Sequence, residues 1–185
     1  MATFARITVL LLAALFAGHA QTRPTNVTDA DAPRALDAYG PVAVSWTDPE
    51  TFTEIRYSRS RFEAVRGDWV RDLAEHLRTA SAAALADGER LDVEIIDIDR
   101  AGEYEPATQS LGDVRVVRDL YPPSLELRFT LRDAGGQVLA EGERRLTDLG
   151  FLTSSAGMAA RSDPLQHEKR LIDRWVRDEL RAPRR

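Results

Sequence analysis

Apolar residues recur along the chain at two spacings, and each spacing predicts an element. Val42, Val44 and Trp46 alternate with Ala43, Ser45 and Thr47, which predicts a short strand. Asp48-Pro49 then turns the chain, because proline fixes φ and the aspartate can bond the backbone that follows. Ser60 and Glu63 have the S-x-x-E spacing of a capping box. Val65, Trp69, Leu73, Leu77, Ala80 and Ala84 follow at helical spacing and predict a helix over 61–86, with Asp87-Gly88 as its stop. Gly67 inside it costs about 1 kcal/mol against alanine.

A second strand is expected over 91–99, then turn residues, Val114–Val117, and Tyr121-Pro122-Pro123. The clearest alternation comes next. Leu125, Leu127, Phe129 and Leu131 share one face, and Glu126, Arg128, Thr130 and Arg132 the other. Asp133-Ala134-Gly135-Gly136 turns the chain into a return strand with Val138, Ala140 and Gly142 on the apolar or small face. Residues 147–163 are aperiodic and rich in small residues, with Phe151, Leu152 and Met158 among them. Loops of that length inside a domain are often lids or linkers.

Asp163-Pro164 has the chemistry of a helix start, and Leu165, Leu171, Ile172, Trp175 and Val176 form a stripe extending to Leu180. Asp173 with Arg177 and Arg174 with Asp178 are spaced to pair along that helix. The order β-α-β-β-β-α predicts an α+β two-layer sandwich: an antiparallel sheet of four or five strands against two helices. It forms one domain over 41–182, followed by a basic tail, 183–185.

The N-terminus adds a location. Arg6 precedes an apolar run, Ile7 to Ala17, and Gly18 and Ala20 suit the small subsites of signal peptidase. A signal peptide over 1–20, cut between Ala20 and Gln21, is therefore expected; the run is too short to span a bilayer. Residues 21–40 are polar, Pro-containing and aperiodic, and are expected as a flexible leader. The chain has no cysteine, which excludes disulfides, thiolate metal sites and a lipid-anchored cysteine, so an exported domain must rely on its core. These features fit a Gram-negative periplasm, with no membrane insertion after cleavage. Lys and Arg number 25 against 30 Asp and Glu, net −5, and loss of Arg6 takes this to −6. Nothing resembles the basic stripe of a nucleic-acid binder.

The acidic stretch from Glu94 to Glu105 is the main candidate for chemistry. In a regular strand Leu91, Val93 and Ile95 share a face with Asp97 and Asp99, so the apolar pattern changes parity at Ile95-Ile96. A β-bulge there restores Ile96 and Ile98 to the core and turns both aspartates to water; it is the expected solution. Without it, Asp97 and Asp99 face inward about 6.6 Å apart, a spacing that suits a divalent cation or an acid/base pair. A metal set of Asp97, Asp99, Glu103 and Glu105 is thus the alternative to a structural role with Arg100, Arg115 or Arg118 as partners. Ala101 stands where a calcium loop of the EF-hand type needs an oxygen ligand.

Other chemistries are poorly represented. His167-Glu168-Lys169 lacks a second histidine four residues on, as a zinc-protease helix requires, and His76 stands apart in the first helix. Ser154 and Ser155 are not in a G-x-S-x-G elbow, and no Gly-rich loop follows a strand to cradle phosphate. Trp46, Trp69 and Trp175 fall on core faces. No cofactor is expected.

At DIDRAGEYEP, DVRVVRDLYPPSLELRFTLRD and DPLQHEKRLIDRW the chain resembles a family of exported proteobacterial proteins known as a domain of unknown function. The likeness runs from about Val42 to Leu180. It implies export and a single domain, and carries no catalytic residue with it. The expected function is therefore a non-catalytic periplasmic protein that binds an envelope protein or small ligand, with metal binding at 97–105 as the alternative.

Overall fold

The computed structural model describes residues 26–106, 113–153 and 162–181. The expected signal peptide, most of the segment around Ser154, Ser155 and Met158, and the tail 183–185 lie outside them. Among the described residues the strands are β1 (Val42–Trp46), β2 (Arg90–Asp99), β3 (Glu103–Pro106), β4 (Asp113–Val116), β5 (Ser124–Arg132) and β6 (Val138–Thr147). The helices are two single turns, α1 (Thr53–Arg56) and α2 (Arg61–Ala64), then α3 (Trp69–Ala82) and α4 (Gln166–Trp175). The last continues as a wider turn over Val176–Leu180.

The main sheet has the order β1-β2-β5-β6, and β3 and β4 form a separate ribbon. The β2–β5 and β5–β6 pairs are antiparallel, and β1 lies parallel to β2, from Val42 opposite Leu91 to Trp46 opposite Ile95. A parallel neighbour requires a long crossover, which α1, α2 and α3 provide. One face of the sheet buries Val44, Val93, Ile95, Leu127, Phe129 and Leu131 against Leu73, Leu77, Ile172 and Trp175. The Phe129 and Trp175 rings meet edge to face at 5.5 Å. The other face is solvated and carries Arg128 between Glu94 (2.7 Å) and Glu143 (2.6 Å). The α+β two-layer architecture expected from the pattern is the one observed, except that the sheet is not wholly antiparallel, since β1 runs parallel to β2.

Three local expectations are corrected. The helix expected over 61–86 is broken: Gly67 has φ +88°, and α3 begins only at Trp69. Ser60 makes no side-chain cap bond, and Glu63 instead binds Arg66 at 3.0 Å. The break lets Val65 O accept from Val27 N (2.9 Å), and Trp69 Nε1 ties the two helices by donating to Ala64 O (3.0 Å).

Secondly, the stretch expected as a flexible leader is packed onto the domain from Asn26 on. Leu36 N donates to Val44 O and Trp46 N to Arg34 O, so residues 34–36 satisfy the outer edge of β1. Val27 and Leu36 are each only 8% exposed. Thirdly, the pairs expected along the last helix are replaced by tertiary ones. Asp173 meets His76 of α3 at 2.8 Å and Arg174 meets Asp148 at 2.6 Å.

Candidate polar junction at the end of β2

The register of β2 against β5 shifts between Ile95 and Asp97, which places a bulge at Ile96 as the parity change predicts. Ile95 and Ile98 are fully buried, but Ile96, expected to join them, is the extra residue of the bulge and stays half-buried, its carbonyl accepting from Thr47 Oγ1 at 2.9 Å. Asp97 and Asp99 leave the core face, but they do not simply face water. Asp97 Oδ1 accepts from Thr53 N at 2.6 Å and Oδ2 from Thr53 Oγ1 at 2.7 Å. It thereby caps α1 from across the fold, supplying the acceptor that Phe52 at the cap position lacks.

That cap aims Glu54, the next residue, into the domain, where it is 4% exposed. Its Oε2 accepts from Arg100 N (3.0 Å), and its Oε1 accepts from Arg100 Nη2 (2.8 Å) and Arg115 Nη2. Arg115 Nη1 also donates to the carbonyls of Ala101 and Gly102, both at 2.9 Å. Each guanidinium lies over an aromatic ring, Arg100 4.4 Å from the centre of Trp69 and Arg115 4.7 Å from that of Tyr104. Burial works most strongly against the charge on Arg115, but Glu54, Tyr104 and Glu168 together outweigh it and the pKa rises above its ordinary value.

The loop between β2 and β3 closes the arrangement. Gly102 has φ +86°, and a Cβ there would stand 2.7 Å from Val116 O, so only glycine lets the loop approach β4 this closely. Ala101 N donates to Glu168 Oε1 at 2.6 Å, fastening the first turn of α4 to the loop. Glu168 is 1% exposed, and burial raises its pKa against the opposing bond from Ala101. Asp99 is pushed up to about 6, first by burial and then by the charges of Glu54 and Asp97.

The remaining candidates have separate partners. Glu103 Oε1 accepts from Tyr104 N at 2.7 Å, and Glu105 binds Arg118 (2.8 Å) and Tyr121 Oη (3.2 Å). Of the expected arginine partners, Arg118 pairs within the 97–105 set; Arg100 and Arg115 turn to Glu54. Among the described residues no group of three or more His, Asp or Glu side chains is arranged to hold a metal ion. His167 stacks edge to face on Phe151 at 4.8 Å, and its Nδ1 lies 2.5 Å from Arg170 Nη2. A guanidinium only donates, so Nδ1 accepts, and burial and Arg170 both lower this histidine's pKa.

Glu54 and Glu168 were not among the sequence candidates. Glu168 had a signal: with Leu171, Ile172 and Trp175 it completes an i, i+3, i+4, i+7 set, so it lies on the apolar stripe itself. Glu54, between Phe52 and Ile55, has no comparable signal in so short a helix.

These features define an α+β fold whose most elaborate polar constellation among the described residues is internal. The chain belongs to the family described as Protein of unknown function (DUF3016), whose model matches residues 40–178. No curated protein and no solved structure matches it.

Proposed function

We propose that the protein is an exported, non-catalytic binding or accessory domain of the bacterial envelope. The observation that carries this reading is the internal use of its best-placed charged groups. Glu54, Arg100 and Arg115 are directed at one another and at backbone carbonyls, and neither guanidinium is left to meet a substrate. Export is supported by the apolar run Ile7 to Ala17 followed by Gly18 and Ala20, and by the lack of cysteine. No described helix is long and apolar enough to cross a membrane.

A surface suited to binding lies away from the junction. A groove of about 310 Å³ runs over the solvated face, between Leu36 and Ala38 on one side and Glu94 and Arg128 on the other, with Ala43, Ser45 and Thr130 in its floor. Its volume is at the lower end for ligand sites. Small floor residues leave room for a partner's side chain.

The competing reading, a divalent cation at Asp97, Asp99, Glu103 and Glu105, has less support. Three of the four already accept hydrogen bonds from different parts of the fold.

Fractionation with intact-mass measurement tests the location: a periplasmic species beginning at Gln21 is expected, and an unprocessed cytoplasmic chain would contradict it. A photo-crosslinking residue at Ser45, compared with one at Asp133 in the hairpin turn, tests the binding role. A discrete adduct from position 45 alone is expected. No adduct, or the same adducts from both positions, would count against the reading.

A further inference from the structure

Glu168 is the one carboxylate of the junction that lies on the apolar face of a long helix, and it has no guanidinium bound to it. Its Oε1 accepts from Ala101 N, and its Oε2 is buried with no hydrogen-bond partner. Both arginines near it are engaged by Glu54, and their Nε atoms are likewise buried without partners. A full charge on Oε2 therefore meets no hydrogen-bond donor from another part of the fold, and Ala101 N is the one such donor to the carboxylate among the described residues. A proton on Oε2 removes that charge and leaves Oε1 free to accept from Ala101.

We propose that Glu168 is a pH-sensitive clasp, holding α4 to the loop between β2 and β3 most firmly when it carries a proton and loosening it when ionised. The clasp joins segments distant in sequence, since Glu168 and Ala101 are 67 residues apart. A hydrogen-bonded acid here couples the docking of α4 to the proton concentration around the protein.

The charged groups acting on it come from two other elements. Arg100, from the loop just after β2, and Arg115, from β4, favour the ionised form, as do the bonds from Ala101 N and from its own backbone N–H. Burial opposes all of these, is the largest influence, and raises the pKa. An acid with a pKa raised by folding stabilises the fold below its unfolded value, 4.5 for a glutamate. That contribution fades as pH rises through the folded value. Acid therefore tightens this contact, the reverse of the response of a carboxylate in an ion pair.

The direct test is a ¹³C-carboxyl NMR titration of Glu168 in the intact mature protein, with Glu168→Gln to assign the signal. A midpoint clearly above 4.5 is expected, and one at or below 4.5 overturns the proposal. The same variant separates the clasp from a passive contact, because glutamine keeps an acceptor for Ala101 and cannot titrate. Wild-type melting temperature should fall from pH 5 to pH 8, by about 3–5 °C for each tenfold preference of the fold for the protonated form. Glu168→Gln should lose that part of the fall, and hydrogen exchange at Ala101 should quicken above the titration midpoint in the wild type only. Should the variant not fold, Asp99→Asn, which leaves Glu168 in place, must still show the pH-dependent exchange at Ala101. Equal pH responses in wild type and Glu168→Gln, or exchange at Ala101 that follows only intrinsic base catalysis, overturn the proposal.

Discussion

Replacing Glu54 with alanine should be among the most damaging single substitutions in this protein. The side chain is 4% exposed and accepts from Arg100 N, Arg100 Nη2 and Arg115 Nη2. Its removal leaves two largely buried guanidiniums, their side chains 12% and 20% exposed, without their carboxylate. Breaking a buried pair in this way costs about 3–5 kcal/mol, because the surviving charge keeps its desolvation penalty. Arg115 retains its bonds to the carbonyls of Ala101 and Gly102, which places the loss toward the lower end. For a chain of this size that corresponds to a drop of roughly 6–12 °C in melting temperature. Typical domains are stable by only about 5–15 kcal/mol, so a large share of the total is at stake. Glu54→Gln, which keeps the shape and one acceptor oxygen, should lose less. Urea unfolding at pH 7, followed by the fluorescence of Trp46, Trp69 and Trp175, measures both variants. A loss below about 1 kcal/mol for Glu54→Ala, with an unchanged denaturant slope, would refute the assignment of a buried, mutually dependent network.

Asp99→Asn should act in the opposite direction. Folding raises its pKa from 3.8 to about 6, so the fold binds this proton more tightly than the unfolded chain. Its stabilising contribution is complete below pH 3.8 and is lost as pH rises through 6. The full shift corresponds to about 3 kcal/mol, reduced to about 1–2 kcal/mol because the group is partly open to solvent. The variant should therefore exceed wild type in stability at pH 7–8 by that amount and match it near pH 4; equal stabilities at pH 8 would contradict the shift. Gly102→Ala and Gly67→Ala form a matched pair, since both sites have positive φ. An added Cβ meets Val116 O at 2.7 Å at position 102 and nothing within 4 Å at position 67. Gly67→Ala should cost about 1–2 kcal/mol from backbone conformation alone, and Gly102→Ala clearly more. Equal costs in urea unfolding would show that the loop does not press on β4.

Much of this architecture is written in local patterns. Strand β5 shows as strict alternation, and the bulge in β2 shows as a parity change at Ile95-Ile96; in β6 a register shift moves Val138, expected on the apolar face, opposite Arg132, where it is exposed. What could not be read locally depends on partners far along the chain. Periodicity runs through Gly67 without interruption, but Val27 takes up the carbonyl of Val65 at the break. Residues 34–36 have no hydrophobic period, because their role is to satisfy the backbone of one edge of β1. The ribbon strand β3 is only four residues, Glu-Tyr-Glu-Pro, too short to show a pattern, and is held by Tyr104 against Arg115 and by the pairing of Glu105 with Arg118. The candidate site was half legible for the same reason. Acidic density marked the end of β2, but the deepest carboxylates come from α1 and α4, which only the fold brings there.

The central claim is that the acidic segment from Asp97 to Glu105 is a structural junction and not a cation site. Thermal unfolding of the protein in EDTA, then in graded Ca²⁺, Mg²⁺, Mn²⁺ and Zn²⁺, tests it most directly, since a ligand that binds the native state raises the melting temperature with concentration. The same melting temperature is expected throughout, for wild type and for Asp97→Asn with Asp99→Asn measured against its own EDTA baseline. A rise that grows with one cation and disappears in the double variant would contradict it.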